Sequence, residues 1–199
     1  MDFLPADQPI ATCIAASCED CPLQSKVHCH FVQRDLTRFL LSVAPSFLLA
    51  GLGVILFNAW WLIPWIGFII LFFGVIEIRV LCAHCPHYAE PGKTLQCWAN
   101  YGSPRLWKFR PGPMTLWEKI ALFGGFALIW GGPMVLMAIS SQWLLLTLTT
   151  VATFGFFYRM QTHNCNQCFN FVCPLNRVDE ATRWVFLARN PVIKKAFEK

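Results

Sequence analysis

Charged side chains are scarce in this chain, since only 14% of its 199 residues are Asp, Glu, Lys or Arg, against about 25% in an ordinary soluble domain. Four stretches lack charge altogether: FLLSVAPSFLLAGLGVILF (39–57), WWLIPWIGFIILFFGVI (60–76), IALFGGFALIWGGPMVLMAI (120–139) and WLLLTLTTVATFGFFY (143–158). A helix of about 20 residues crosses a hydrocarbon core of about 30 Å. Four such stretches in one short chain argue against buried core helices of a soluble protein and predict an all-α membrane protein with four transmembrane helices.

The turns after the first and third apolar stretches also lack charge, at Asn58-Ala59 and at Ser140-Ser141-Gln142. All 16 Lys and Arg residues therefore lie on the side that carries the N-terminus, the central loop and the C-terminus. Because positively charged loops stay in the cytoplasm, we predict two helical hairpins with both termini inside, integral to the inner (cytoplasmic) membrane. The first 36 residues lack a positive region followed directly by an apolar core, so we expect no cleaved signal peptide.

This topology divides the chain into five segments. They are a cytoplasmic cysteine-rich segment (1–36), a first transmembrane hairpin (37–81), a cytoplasmic cysteine-rich loop (82–117), a second transmembrane hairpin (118–160) and a cytoplasmic cysteine-rich tail (161–199). The net charge of +5 lies on the side where anionic lipid head groups attract it, so it is no evidence for a nucleic-acid partner.

Local patterns predict further structure within these segments. Thr115 and Glu118 have the spacing of a capping box at the start of the third transmembrane helix. VDEATRWVFLAR (178–189) predicts a short amphipathic helix that Asn190-Pro191 ends. Its apolar face, suited to a membrane surface or a partner protein, carries Ala181, Trp184, Val185 and Ala188. Close approach of the first and third helices is expected at glycines, namely Gly51, Gly53, Gly124, Gly125, Gly131 and Gly132.

The predicted helices also lack the side chains that haem binding and ion transport use. All five histidines lie outside the apolar stretches and no C-x-x-C-H sequence is present, so neither haem b nor haem c is predicted. Intramembrane charges usually mark proton and ion pathways, but only Glu77 and Arg79 come near the membrane. We expect both to pair with lipid head groups or with Lys and Arg of the loop rather than to relay protons.

Cysteine, in contrast, is abundant, and all ten cysteines lie in the predicted cytoplasmic segments. They recur in similar patterns, CEDCPLQSKVHC (18–29), CAHCPHYAEPGKTLQC (82–97) and CNQCFNFVC (165–173). Disulfides seldom persist in a reducing cytoplasm, so repeated C-x-x-C pairs there predict metal binding or redox chemistry.

Iron–sulfur clusters are the cofactors that these patterns favour most. Cysteine thiolates hold such clusters, and bacterial ferredoxin sequences combine C-x-x-C with a terminal Cys-Pro. Cys21, Cys85 and Cys173 are each followed by proline. The three patterns thus resemble the ligand-bearing stretches of bacterial-type ferredoxins, although none is a complete ferredoxin run and the resemblance does not extend to the fold. It implies one to three clusters of the 4Fe-4S type.

The cysteines divide into two sets of ligands. The N-terminal segment has enough for one cluster by itself, namely Cys13, Cys18, Cys21 and Cys29. Loop and tail supply the other six, namely Cys82, Cys85, Cys97, Cys165, Cys168 and Cys173. These six either hold a second cluster with two thiols to spare, or each triad takes a fourth ligand that is not cysteine.

Structural zinc is the main alternative. The C-x-x-C pairs at 82/85 and 165/168 would make a site of four thiolates that joins the loop to the tail. Sites with three cysteines would instead add one histidine from among His28, His30, His84, His87 and His163. Zinc gives no reason for the recurring Cys-Pro step. A thiol–disulfide redox pair is a third option, but quinone-coupled thiol oxidoreductases would place their active cysteines on the outer face, where this chain has none.

An aromatic and basic group near the inner interface offers a site for a quinone head group, although interface anchoring explains the same residues. It comprises His87, Trp98, Tyr101, Trp107 and Phe109 with Arg105, Lys108 and Arg110. No residues form an acid–base pair or a nucleophile triad, so we predict an electron-transfer subunit of a larger membrane oxidoreductase rather than a stand-alone catalyst. Its expected partners are the lipid bilayer, other subunits and a quinone. A zinc-stapled membrane scaffold or assembly factor is the alternative.

Overall fold

The computed structural model describes residues 4–198, so residues 1–3 and 199, the outer ends of the first and last predicted segments, lie outside the described residues. Within the described chain all regular structure is helical, and its isolated β-bridge pairs Thr94 with Pro104. The helices are α1 (Gln33–Asn58), α2 (Leu62–Leu71), α3 (Glu77–Val80), α4 (Leu116–Phe126), α5 (Gly132–Ile139), α6 (Trp143–Arg159), α7 (Glu180–Arg189) and α8 (Pro191–Phe197).

Three helical segments are long and apolar enough to cross a membrane, namely Gln33–His84, Leu116–Ile139 and Trp143–Asn164. Large apolar side chains remain exposed on their outer surfaces, for example Leu48 and Leu144, at 73% and 76% exposure. An extended apolar surface of this kind is stable against lipid and unstable in water. The structure therefore supports a membrane protein whose helices lie in a lipid bilayer.

The longest of these segments, Gln33–His84, is interrupted at Asn58. The backbone of Asn58 is extended, with φ −168° and ψ 118°, and its side-chain oxygen accepts a hydrogen bond from the Trp60 N–H at 3.0 Å. On either side of this break, the rings of Phe47 and Trp65 lie 6.2 Å apart. The chain therefore bends at Asn58, and the bend brings Trp65 beside Phe47.

Aromatic side chains fill the interior between the long helices. Trp130 is the centre of this packing: its ring lies 5.3 Å from Phe47 and 6.0 Å from Phe156. Its indole N–H donates to the Ser46 hydroxyl at 3.2 Å, so the one polar atom of the ring is paired inside an apolar region. These contacts bring α1, α6 and the end of α4 together around one core.

Two of the predicted glycines do permit close helix approach. A Cβ atom at Gly125 would lie 1.8 Å from Cε2 of Phe72, and one at Gly53 would lie 2.1 Å from Cε of Met137. At Gly124, by contrast, a Cβ would meet no atom within 4 Å, and the same holds for Gly131 and Gly132. The packing role that the sequence suggested for all of them is thus confirmed at Gly53 and Gly125.

The predicted capping box at the start of α4 is confirmed. The Thr115 hydroxyl accepts from the Glu118 N–H at 3.3 Å, and the Glu118 carboxylate accepts from the Thr115 N–H at 2.8 Å. The same carboxylate also pairs with Arg110 at 2.8 Å and with Arg79 at 3.3 Å. One side chain thereby ties the end of α3 and the central loop to the start of α4.

The expected pairing of Glu77 and Arg79 with lipid head groups or loop cations was wrong. Arg79 pairs with Glu118, as described above. Glu77 is buried, and one of its oxygens accepts from the Asn100 side chain at 3.1 Å. Its other oxygen has no hydrogen-bond partner within the described chain. A buried acceptor without a hydrogen-bond partner costs free energy, so packing alone does not explain the position of Glu77.

The tail contains the predicted amphipathic helix. The Asp179 side chain accepts from the Thr182 N–H at 2.9 Å and so caps α7. The apolar face proposed from the sequence, which includes Trp184 and Val185, is exposed, while Phe186 and Leu187 on another face are buried. After Asn190 the chain continues as α8, a helix that the sequence patterns did not predict because Asn-Pro usually ends helical structure.

Candidate metal centre

The four N-terminal cysteines form one group, within a segment of irregular turns. Cys13, Cys18 and Cys21 all lie near enough to Cys29 to act on its thiol electrostatically. Burial, followed by these neighbouring thiols, raises the pKa of Cys29 to about 12. Local hydrogen bonds fix the turns: the Cys13 N–H donates to the Ile10 carbonyl at 2.9 Å, and the Cys21 N–H donates to the Cys18 carbonyl at 3.2 Å.

The tail holds this N-terminal group in place. The Ile14 N–H donates to the Arg189 carbonyl at 2.9 Å, and the Thr12 hydroxyl donates to the Asn190 side chain at 2.8 Å. The Arg189 guanidinium donates to the Cys21 sulfur at 3.3 Å. The C-terminal end of α7 therefore docks the N-terminal segment through contacts to its backbone and side chains.

The other six cysteines line a single cavity of about 400 Å³. They come from the loop and the tail, which the fold brings together at the C-terminal ends of α3 and α6. These six residues, called the six-thiol group below, are Cys82, Cys85, Cys97, Cys165, Cys168 and Cys173. From the sequence, either the loop and the tail share one site or each triad takes a fourth ligand of another kind; in the structure the six sulfurs line the same cavity.

Helix ends and tight turns place these sulfurs. Cys82 begins a short 3₁₀ turn directly after α3, and the Cys85 N–H closes it onto the Cys82 carbonyl at 2.9 Å. In the tail, α6 widens into a π-helical turn, Met160–Asn164, and the Cys165 N–H donates to the Met160 carbonyl at 2.9 Å. Such π-helical turns occur frequently at functional sites. Here the turn ends directly before Cys165, which lines the cavity.

Burial makes these thiols difficult to ionise without a nearby cation. It raises the pKa of Cys165 to about 12 and that of Cys173 to about 11. The pKa values of Cys85 and Cys168 are also raised well above the ordinary range, first by burial and then by the other thiols. A bound metal ion reverses this balance, because its positive charge stabilises several adjacent thiolates together. The donor set therefore suits a cationic inorganic occupant.

The remaining cavity wall is apolar with a few polar side chains. Rings from the long helices line it, among them Phe39, Phe126 and Phe156. Glu77 and Asn170 also line it, and each has one oxygen without a hydrogen-bond partner in residues 4–198. Sequence reasoning did not connect Asn170 with a site, and nothing but its position between two cysteines could have suggested it.

The histidines proposed as extra ligands are mostly engaged elsewhere. His84 contacts the Gly112 carbonyl at 3.0 Å and Glu118 at 3.4 Å, and His28 contacts Gln167 and Asp35. His30 lies 2.8 Å from the Gln8 carbonyl, and His163 lies 2.8 Å from the Thr162 hydroxyl.

His87 alone of the five histidines lines the cavity. Burial, followed by Arg105 and His30, lowers its pKa to about 3, so the ring is neutral near pH 7. The ring packs 4.6 Å from Phe169, centroid to centroid. His87 is therefore a neutral side chain in the cavity wall, packed against Phe169.

The aromatic group proposed as a quinone site does not converge on one point. His87 and Trp98 line the cavity. Tyr101 instead stacks on Phe31 with 4.5 Å between ring centroids, and Trp107 lies under the Arg79 guanidinium at 5.7 Å. Of the basic residues, Arg110 pairs with Glu118. Phe109 packs beside the buried core that contains Cys82 and Tyr88.

The N-terminal group and the six-thiol group meet at one apolar core. Cys85 belongs to the core formed by Ile10, Phe169 and Phe186, and Cys13, Cys21 and Cys29 pack against the same core. Phe169 also lines the cavity. The thiols that act electrostatically on Cys29 all belong to the N-terminal group, so the two groups of sulfurs are distinct although they share this core.

Within residues 4–198, no three His, Cys, Asp or Glu side chains are grouped so as to hold a metal ion as they stand.

The chain matches no protein-family model, no curated protein and no solved structure, so its function has to be inferred from its own residues.

Proposed function

We propose that this chain is a membrane-embedded electron-transfer protein that holds two iron–sulfur clusters. The observation that carries the proposal is the six-thiol group around one cavity of about 400 Å³. Cysteine thiolates are the ligands of iron–sulfur clusters, and a cavity enclosed by thiols is the space in which a cluster of several atoms would lie. The four N-terminal cysteines, grouped about Cys29, would hold the second cluster.

The cavity favours a cluster over a single zinc ion. Zinc–sulfur bonds of about 2.3 Å bring four sulfurs into contact around one ion. Within residues 4–198 no three of the sulfurs are grouped around one point so as to hold a single ion, and they line the cavity together with rings of the long helices. The recurring Cys-Pro step points the same way, since it is found in bacterial ferredoxin sequences. The zinc-stapled scaffold therefore remains the alternative outcome of the test below.

The membrane arrangement is also part of the proposal. The bend at Asn58 supports two passes within Gln33–His84, which gives four passes as two hairpins. The uncharged turns then face outward, and all Lys and Arg lie on the cytoplasmic side of the inner membrane with the cysteine segments. The exposed apolar face of α7 around Trp184 would contact the membrane surface or another subunit of a larger oxidoreductase.

The test is the metal content of the protein after anaerobic purification in detergent. Two 4Fe-4S clusters predict about eight iron atoms and an equal amount of acid-labile sulfide per chain. Zinc without sulfide would instead establish the scaffold. A protein with neither metal, whose thiols are all free, would leave thiol–disulfide chemistry as the surviving option.

A quinone is the proposed electron-exchange partner in the bilayer. The cavity extends from the sulfurs between α1, α4 and α6, where Phe47 and Trp130 line it, so a planar ring in this part of the cavity would lie beside the cluster. We expect a quinone analogue to shift the midpoint potential of the cluster in the six-thiol group during a redox titration. An unchanged potential at saturating analogue would contradict this part of the proposal.

A further inference from the structure

The six-thiol group contains more ligands than one cluster needs. A 4Fe-4S cluster takes four cysteine ligands, whereas six sulfurs line the cavity. The surroundings of the individual sulfurs differ in a way that separates four of them from the other two.

Backbone N–H groups donate to four of the sulfurs, and each of the four has a donor two positions further along the chain. These donors are His87 to Cys85, Ala99 to Cys97, Asn170 to Cys168 and Leu175 to Cys173, and Asn100 and Asn176 are second donors to Cys97 and Cys173. For Cys97 the distance from the Ala99 nitrogen to the sulfur is 3.5 Å. The same local geometry thus recurs at four places, in two segments that are far apart in the sequence.

This geometry is suited to a sulfur that carries negative charge. An N–H group aimed at sulfur stabilises a thiolate, and hydrogen bonds to ligand sulfurs help to set the reduction potential of a cluster. At Cys85 and Cys173 the residue between the sulfur and its donor is a proline, Pro86 and Pro174. Proline has no N–H and fixes φ, so the chain turns at once and the next residue supplies the first available donor.

The sulfurs of Cys82 and Cys165 have different surroundings. The Cys82 sulfur accepts from the side chain of Asn100 at 3.4 Å, and that same amide also donates to Glu77. The Cys165 thiol is influenced by Cys173 and by the Arg177 guanidinium.

Mutual proximity supports the same division for Cys165. The thiol of Cys168 lies within electrostatic reach of Cys85, Cys97 and Cys173. Cys165, by contrast, is influenced by a single thiol, that of Cys173. Cys82 is near Cys85, Cys97 and Cys173, so its distance from the other thiols does not separate it from the four. What separates it is that its sulfur accepts from a side-chain amide instead of a backbone N–H.

We propose that Cys85, Cys97, Cys168 and Cys173 ligate the second cluster, and that Cys82 and Cys165 are free thiols beside it. This assignment rests on the proposed function, because it presupposes a metal centre in the cavity. The loop and the tail would then supply two ligands each. The cluster would join them and so complete the face on which the N-terminal segment packs.

The experiment compares single Cys→Ser variants of the full-length chain, purified anaerobically in detergent. Cys85→Ser, Cys97→Ser, Cys168→Ser and Cys173→Ser should each lose about half of the iron and sulfide. The matched controls Cys82→Ser, Cys165→Ser and their double variant should keep the full content and an unchanged visible spectrum. Circular dichroism and gel filtration of every variant check that the helices remain folded.

The outcomes separate the two proposals. Loss of metal in Cys82→Ser or Cys165→Ser, with retention in one of the four others, would overturn the ligand assignment but leave the cluster in place. Zinc without iron in the unchanged protein would overturn the proposed function. The same variants, measured by zinc content, would then still decide which sulfurs ligate. Absence of any metal in the unchanged protein would overturn both.

Discussion

Replacing Cys29 by serine should reduce the iron content from about eight to about four atoms per chain and leave the other cluster intact. The N-terminal group has only four sulfurs, so no spare thiol can replace the lost one. The serine hydroxyl occupies a similar volume but does not ionise near neutral pH, and it is a poor ligand for iron. Iron and sulfide assays, with the spectrum of the reduced protein, measure the change.

The separation of the two cysteine groups is the reason for expecting a partial loss. The thiols that act on Cys29 are those of its own group, and the six-thiol group lines a cavity of its own. Ser25→Ala is the matched control, because Ser25 is an exposed residue of the same segment. Complete loss of iron in Cys29→Ser would mean that one site spans both groups, and no loss would remove Cys29 from the ligand set.

Gly125→Ala should destabilise the helical bundle by about 1–3 kcal/mol, the usual cost of overpacking a filled interior. The new methyl group would lie 1.8 Å from Cε2 of Phe72. Phe72 is fully buried and contacts Phe126 at 5.5 Å between ring centroids, so its ring has little room to move. Thermal unfolding of the protein in detergent, followed by circular dichroism, measures the loss.

The neighbouring glycine provides the control for this prediction. Gly124→Ala adds the same methyl group on the same helix, but no atom lies within 4 Å of it. Its unfolding temperature should therefore be unchanged or slightly raised, because alanine favours a helix over glycine. Adding Phe72→Leu to the Gly125→Ala variant replaces the ring that the new methyl group meets by a smaller side chain. This second change should restore part of the stability that Gly125→Ala loses. Equal unfolding temperatures for the two alanine variants would contradict the packing that the structure describes.

Local features of the structure could be predicted well. The capping box at Thr115 and Glu118 formed as expected, because its hydrogen bonds join residues three positions apart. The tail helix α7 likewise begins close to the predicted start, at Glu180, because the Asp179 side chain accepts from the Thr182 N–H in the first turn. The sequence named Gly125 only as one of several glycines at which helices could approach closely. It could not single out Gly125, because the ring that fills the space beside it, that of Phe72, comes from another helix.

The candidate site was less predictable. The sequence predicted all ten cysteines as candidate ligands, but their spacing left open which of the six loop and tail sulfurs share a centre. The histidines near them suggested mixed Cys/His sites, whereas His84 and His28 are bonded to other groups in the fold. Glu77 was expected to face lipid or basic side chains and instead lines the cavity. Each of these outcomes depends on contacts between distant segments.

By itself, the sequence determined that long apolar helices lie in a bilayer and that thiols accumulate in the segments outside these helices. Both are properties of short stretches, because hydropathy and C-x-x-C spacing act over a few turns of chain. Only the tertiary structure decided that the sulfurs form two groups, and that four of the six around the cavity have backbone donors. The grouping of the six sulfurs depends on contact between the loop and the tail. They are in contact because the packed helices bring the ends of α3 and α6 to one place.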